Sequence, residues 1–208
     1  MNWRAILAGG LAVGVIAVVG IAVAGSPSSP SMSPAATPDG ASATPTVGAP
    51  DPAPSAVQAP LPTSVTIPAI NAMSTLIGLG VNPDLSVQVP DVHHPEQASW
   101  FNLGVRPGEM GSAVLLGHVD GGDGKLGIFH DIHALNLGDL INVGRADGST
   151  AVFKVTRVRT VLKSAFPSQD VYGPKPDAEI QLVTCGGTLD RAAHNYLSSV
   201  IVTGVLVP

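Results

Sequence analysis

The chain has 208 residues, 45% of them hydrophobic, 4% aromatic and 12% charged, with a formal net charge of −5 at pH 7. That length leaves room for a domain with a substantial core. The acidity is too mild to identify a partner, but with no Lys/Arg cluster and no basic helix carrying interleaved aromatics it argues against nucleic acid.

Ala5 to Gly25 are all apolar or glycine and follow a short head that carries Arg4. About twenty such residues, at about 1.5 Å rise each, span the hydrocarbon core of a bilayer. Cationic charge before the segment and none soon after it predicts an N-in, C-out orientation. The run is longer than the roughly 7 to 15 residues of a signal-peptide core. Residues 1–25 are therefore expected to be an uncleaved membrane signal anchor. Ala22-Val23-Ala24 keeps a cleaved signal peptide as the alternative. Either outcome leaves the following domain extracytoplasmic, at the cell membrane.

Residues 26–60 change to Pro, Ala, Ser, Thr and Gly with hardly a large aliphatic side chain. Such a tract buries too little apolar surface to offset its ordering entropy. Its prolines hold it locally extended, so the expectation is a disordered, semi-stiff stalk. No specific motif supports a glycosylated or partner-binding tract instead.

Residues 61–208 read as one all-β domain. The predicted strands are Ser64–Ile67, Leu76–Val81, Ser86–Val89, Ser112–His118, Leu140–Val143, Thr150–Thr160, Ile180–Cys185 and Val200–Val207. In Thr150–Thr160, strict alternation assigns Val152, Lys154, Thr156, Val158 and Thr160 to one face and Phe153, Val155, Arg157, Arg159 and Val161 to the other. Gly, Pro, Asn and Asp clusters such as Ala146-Asp147-Gly148-Ser149 punctuate the runs. About eight short strands and no long amphipathic helix predict a closed or nearly closed β-barrel. Gly127 to Leu135 is expected to make a short helical turn.

The chain has one cysteine, Cys185, at the end of an apolar strand. A lone thiol in an exported domain has no internal disulfide partner, so it is either a buried spectator or a nucleophile. His118 closes another apolar strand, and an imidazole close to a thiol favours the thiolate and protonates a leaving amine. An oxyanion donor is also needed, and Arg191, six residues past Cys185, is the nearest cation in sequence. These residues by themselves leave catalysis and packing evenly balanced.

The ordered series Pro107-Gly108-Glu109-Met110-Gly111-Ser112 through Gly117-His118-Val119-Asp120, then Leu137-Gly138-Asp139, Lys163-Ser164-Ala165-Phe166-Pro167, Val171-Tyr172-Gly173 and Leu182-Val183-Thr184-Cys185-Gly186-Gly187 resembles the sortase family. The GHVD box and the glycine pair resemble its class F, actinobacterial group. The resemblance implies an eight-stranded sortase-type barrel with short helical turns and a cysteine transpeptidase acting on LPxTG-like C-terminal sorting signals. On it, Cys185 attacks the Thr-Gly carbonyl and His118 handles the amine proton. The acceptor is an amine of a lipid-linked peptidoglycan precursor, and the partners are surface proteins that bear the signal. Arg191 is assigned the oxyanion role, with His194 or backbone donors as the alternative because the family's arginine usually falls later in the chain. Thr184, Phe166, Pro167 and Val171 are candidate substrate contacts, and Asp120 a candidate to orient the imidazole. With no C-terminal apolar segment in view, wall anchoring is expected rather than pilus assembly.

No cofactor and no metal is expected. His130-Asp131-Ile132-His133 is a single His-x-x-His pair with no further ligand set, and Asp120-Gly121-Gly122-Asp123-Gly124 lacks the alternation and distal Glu of an EF-hand. His93-His94 reads as an exposed loop. Two other readings stay open: a membrane-tethered, sortase-like binding protein with little catalysis, and a hydrolase that releases the signal to water.

Overall fold

The computed structural model describes residues 58–121, 124–190, 192 and 195–208. The anchor segment 1–25, most of the stalk, Arg191 and His194 lie outside the described residues. Among those described, no helix is long and apolar enough to cross a membrane.

Eight strands form: β1 (Pro62–Ile67), β2 (Ala72–Leu79), β3 (Ala98–Phe101), β4 (Gly111–Leu116), β5 (Leu140–Arg145), β6 (Thr150–Leu162), β7 (Ala178–Asp190) and β8 (Asn195–Leu206). They close into a barrel in the order β1-β2-β3-β4-β7-β8-β6-β5. Closure removes the sheet edges that would otherwise invite pairing with another chain. β2 with β3 and β4 with β7 run parallel, and the other neighbours run antiparallel. The β5–β6 hairpin turns where the punctuation predicted. Gly148 there has φ +82, and the Asp147 carboxylate accepts from the Ser149 N–H at 3.0 Å. Glycine adopts that left-handed backbone without the Cβ penalty.

Two expectations about strands are corrected. Ser86–Val89 is not a strand; only an isolated bridge joins Val81 to Val87. Turn chemistry takes over there. Leu85 has φ +64, Asn82 N–H donates to Ser86 O, and the Asp84 carboxylate accepts from the Ser86 N–H. The eighth strand is β3 instead, four residues whose first three are all buried, so no polar alternation announced it. In β6 the register shifts between Val155 and Arg157. This bulge switches the faces, so that Phe153, Val155 and Val158 pack with the interior while Arg157 and Arg159 reach outward to Asp170. The predicted turn in 127–135 is the 3-10 turn Ile132–Ala134. A short helix α1 (Ser168–Tyr172) and a 3-10 turn Lys163–Ala165 lie in the β6–β7 crossover.

Alternation gives the barrel two apolar layers. Inside are Ile67, Leu115, Ile141, Phe153, Ile180, Leu182 and Val202, joined by Phe129 and Ile132 from the segment after β4. On the outer face of β4, β7 and β8, Val114, Leu116, Val183 and Ile201 form a second cluster, covered by Val87 and by Val171 of α1. Fully burying a side chain such as Val171 contributes about 1.5–3 kcal/mol, which binds the crossover to the sheet. A second tie is electrostatic. Asp170 of α1 accepts from Lys175 Nζ at 2.6 Å, from Arg157 Nη2 at 3.1 Å and from Arg159.

Candidate active site

Cys185 is paired across β7–β8 with Ser199, and on the other side Leu116 of β4 is level with Val183. The ladder continues one step, with the Gly117 N–H donating to Val183 O at 3.3 Å. His118, two residues past Leu116, is therefore level with Cys185, one strand away. Both fall on the outer face, in the alternation of Leu116 and Val183. The parallel β4–β7 pairing thus puts the imidazole just past the end of β4 level with the thiol in the middle of β7. Both side chains are buried, at 2% and 4% exposure.

Backbone contacts fix His118. Its Nε2 lies 2.7 Å from Pro90 O. A carbonyl only accepts, so Nε2 carries the proton and Nδ1 is the nitrogen left to exchange one. Among the described residues, Nδ1 is a buried atom with no hydrogen-bond partner. Behind the ring, Phe129 N–H donates to His118 O at 3.0 Å and Gly127 N–H to Val119 O at 3.0 Å. This approach requires glycine, since a Cβ at Gly127 would lie 2.1 Å from His118 O, and one at Gly117 would lie 2.6 Å from the Phe129 ring.

Burial pushes the Cys185 thiol up from its ordinary pKa; the charge of Lys163 and its hydrogen bond to the sulfur pull it down, and Asp120 adds to the rise. Lys163 is itself buried and donates to Asn195 Oδ1 at 2.6 Å. Asp120 accepts from the Tyr196 hydroxyl, a bond that pushes Tyr196 up to about 12. The imidazole's partner is thus the Pro90 carbonyl, while Asp120 is engaged by Tyr196.

The other predicted residues divide. Thr184 alternates with Cys185 and so turns to the barrel interior, 1% exposed, with its hydroxyl unpartnered among the described residues. Val171 is wholly buried in the outer cluster, where it packs rather than lines a groove. Phe166 packs at the edge of the same cluster with its ring centroid 6.4 Å from Tyr172, and Pro167 directly precedes α1 at its N-cap. The open space nearby is a cleft of about 240 Å³ between Val87, Phe101, Ser168, Gln169 and Tyr172. His130 and His133 are each bound to backbone carbonyls, Val119 O at 2.9 Å and His130 O at 3.1 Å.

Lys163, Asn195, Tyr196 and the Pro90 carbonyl escaped the sequence reading. Arg191, assigned the oxyanion role for its nearness to Cys185 in sequence, lies outside the described residues. Lys163 is 22 positions away and arrives through register, Leu162 pairing with Ser198 and Ser198 with Gly186. A lysine directly after a long strand is a weak signal without that pairing.

A buried thiol and an imidazole level on neighbouring strands of a closed eight-stranded barrel are the residue types that a nucleophilic site of the acyl-transfer class uses. A family model described as the sortase domain matches residues 65–207, more than half the chain, and the chain belongs to the sortase family. In fold it is similar to sortase A from Corynebacterium diphtheriae (21% identity, TM-score 0.53, covering 72% of this chain and 61% of that one). It is likewise similar to sortase C-1 from Actinomyces oris (19%, 0.54, 70% and 71%) and sortase C1 from Streptococcus agalactiae (22%, 0.53, 70% and 67%). The chain thus spans less than two thirds of the diphtheria sortase. No curated protein matches it.

Proposed function

We propose that this protein cleaves an LPxTG-like C-terminal sorting signal between Thr and Gly and transfers the released carboxyl end to an amine of a cell-wall precursor. The observation that carries this is the placement of Cys185 and His118 level on adjacent parallel strands, buried, on one face. The thiol proton passes to His118 Nδ1 and the sulfur attacks the Thr carbonyl carbon. As the tetrahedral intermediate collapses, the C–N bond breaks and the glycine amine leaves with the proton from His118. The thioester is then attacked by the acceptor amine, which gives its proton to His118; the C–S bond breaks to leave the thiolate, and His118 returns the proton to it.

Arg191 is the proposed donor to the oxyanion, a role commonly worth about 2.7–4 kcal/mol. The cleft beside Phe101 and Tyr172 is the proposed seat of the signal's apolar residues. The Gly117-His118-Val119-Asp120 box and the Gly186-Gly187 pair support placement in the class F, actinobacterial group. The apolar run Ala5 to Gly25 supports single-pass membrane anchorage with the domain outside.

Mass spectrometry of the protein mixed with an LPxTG-type peptide and triglycine tests the reading. The wild type should carry a thioester on Cys185 and release amine-exchanged product. Cys185→Ala and His118→Ala should do neither, and Arg191→Ala should slow turnover while its thiol stays reactive. Hydrolysed peptide alone would indicate a hydrolase, and no adduct across a panel of signal variants would refute the enzyme.

A further inference from the structure

Lys163 is buried to 6% exposure in the turn that follows β6. An ammonium is almost never sealed from water unless partners hold it. Its Nζ donates to Asn195 Oδ1 at 2.6 Å, and the pairing of Leu162 with Ser198 and of Ser198 with Gly186 brings it to the part of the sheet that holds Cys185, where its charge acts on the thiol. Asn195, the first residue of β8, is paired with Asp190 of β7 and holds the ammonium against the β7–β8 pair through its Oδ1. Among the described residues, the groups at the thiol are Lys163 from the turn after β6, Asp120, and Tyr196 of β8, which is bound to Asp120, with His118, just past β4, level with it by strand register. The two fixed charges oppose each other, Lys163 favouring the thiolate and Asp120 disfavouring it. A thiolate formed in so buried a place needs a counter-charge close by, because solvent screens it little.

The geometry points to Lys163 as a further catalytic residue, whose ammonium, oriented by Asn195, stabilises the Cys185 thiolate that attacks the substrate and is released again at deacylation. Lys163 keeps its own protons; the thiol proton goes to His118 Nδ1. This assignment rests on the acyl-transfer reading above and adds to it the cation that sets the nucleophile's reactivity.

The test is the pH profile of Cys185 alkylation by iodoacetamide in the whole protein, where a single cysteine makes the signal unambiguous. In Lys163→Met the midpoint should rise by about one pH unit or more, slowing alkylation near pH 7 about tenfold. Lys163→Arg should recover most of the loss, and Asn195→Ala should shift the same way by less. Asp120→Asn should shift the midpoint down, a reversal of sign that a purely structural role does not produce. Coincident profiles for wild type and Lys163→Met overturn the assignment. If circular dichroism shows that Lys163→Met is unfolded, Asn195→Ala decides: an upward shift supports the assignment and coincidence with wild type overturns it. Iodoacetamide needs no sorting signal. Shifted profiles without any thioester from signal peptides would therefore overturn the transpeptidase reading and leave Lys163 in place.

Discussion

Replacing Asp170 by Asn tests whether charge fixes the β6–β7 crossover on the sheet. The carboxylate is held down at about 2, against an ordinary 3.8, chiefly by the hydrogen bond from Lys175; burial opposes this, and Arg159 reinforces it through a hydrogen bond and its charge. For a wholly buried group a drop of that size corresponds to about 2.4 kcal/mol. Asp170 keeps 32% of its side chain exposed, and solvent screening reduces the expected contribution to about 1 kcal/mol. Because the folded-state pKa lies below the unfolded one, the stabilisation is complete above about pH 4 and is lost as pH falls through about 2. Urea unfolding of wild type and Asp170→Asn from pH 7 to pH 2, followed by tryptophan fluorescence, should show a gap of about 1 kcal/mol that closes at the acid end. No gap at neutral pH, or a gap that does not change with pH, refutes the electrostatic tie.

Two further outcomes follow from the site. Gly127→Ala places a Cβ 2.1 Å from His118 O, so calorimetry should show a destabilisation of about 1–3 kcal/mol, with slower turnover as His118 is displaced; an unchanged melting temperature would remove the reason given for glycine. The chain has two tyrosines, both raised, Tyr172 by burial and Tyr196 mainly by its bond to Asp120. In a spectrophotometric alkaline titration Asp120→Asn should bring one of them down from about 12 toward the ordinary 10. An unaltered titration would mean that the Tyr196–Asp120 bond does not form.

The barrel was legible because strands that pack on one another must alternate or be continuously apolar, and turns need Gly, Asn or Asp. Seven of the eight predicted strands overlap observed ones in consequence. The failures have physical causes. A buried four-residue strand shows no alternation, and a bulge in β6 leaves composition unchanged while reversing every side chain beyond it. In the site, Cys185 and His118 stood out because a lone thiol and a histidine each end an apolar run. Thr184 and Val171 did not become groove residues, because strand parity turned one inward and helix packing buried the other.

By itself the sequence determined the all-β class and singled out Cys185 and His118 as candidates, since residue type and periodicity are local properties. Only the tertiary structure shows that, among the described residues, Lys163 is the cation acting on the sulfur, that Nε2 of His118 is taken by a carbonyl, and which charges hold the crossover. Those depend on register, and pairing brings Lys163 to Cys185 across 22 positions of sequence that no local pattern connects.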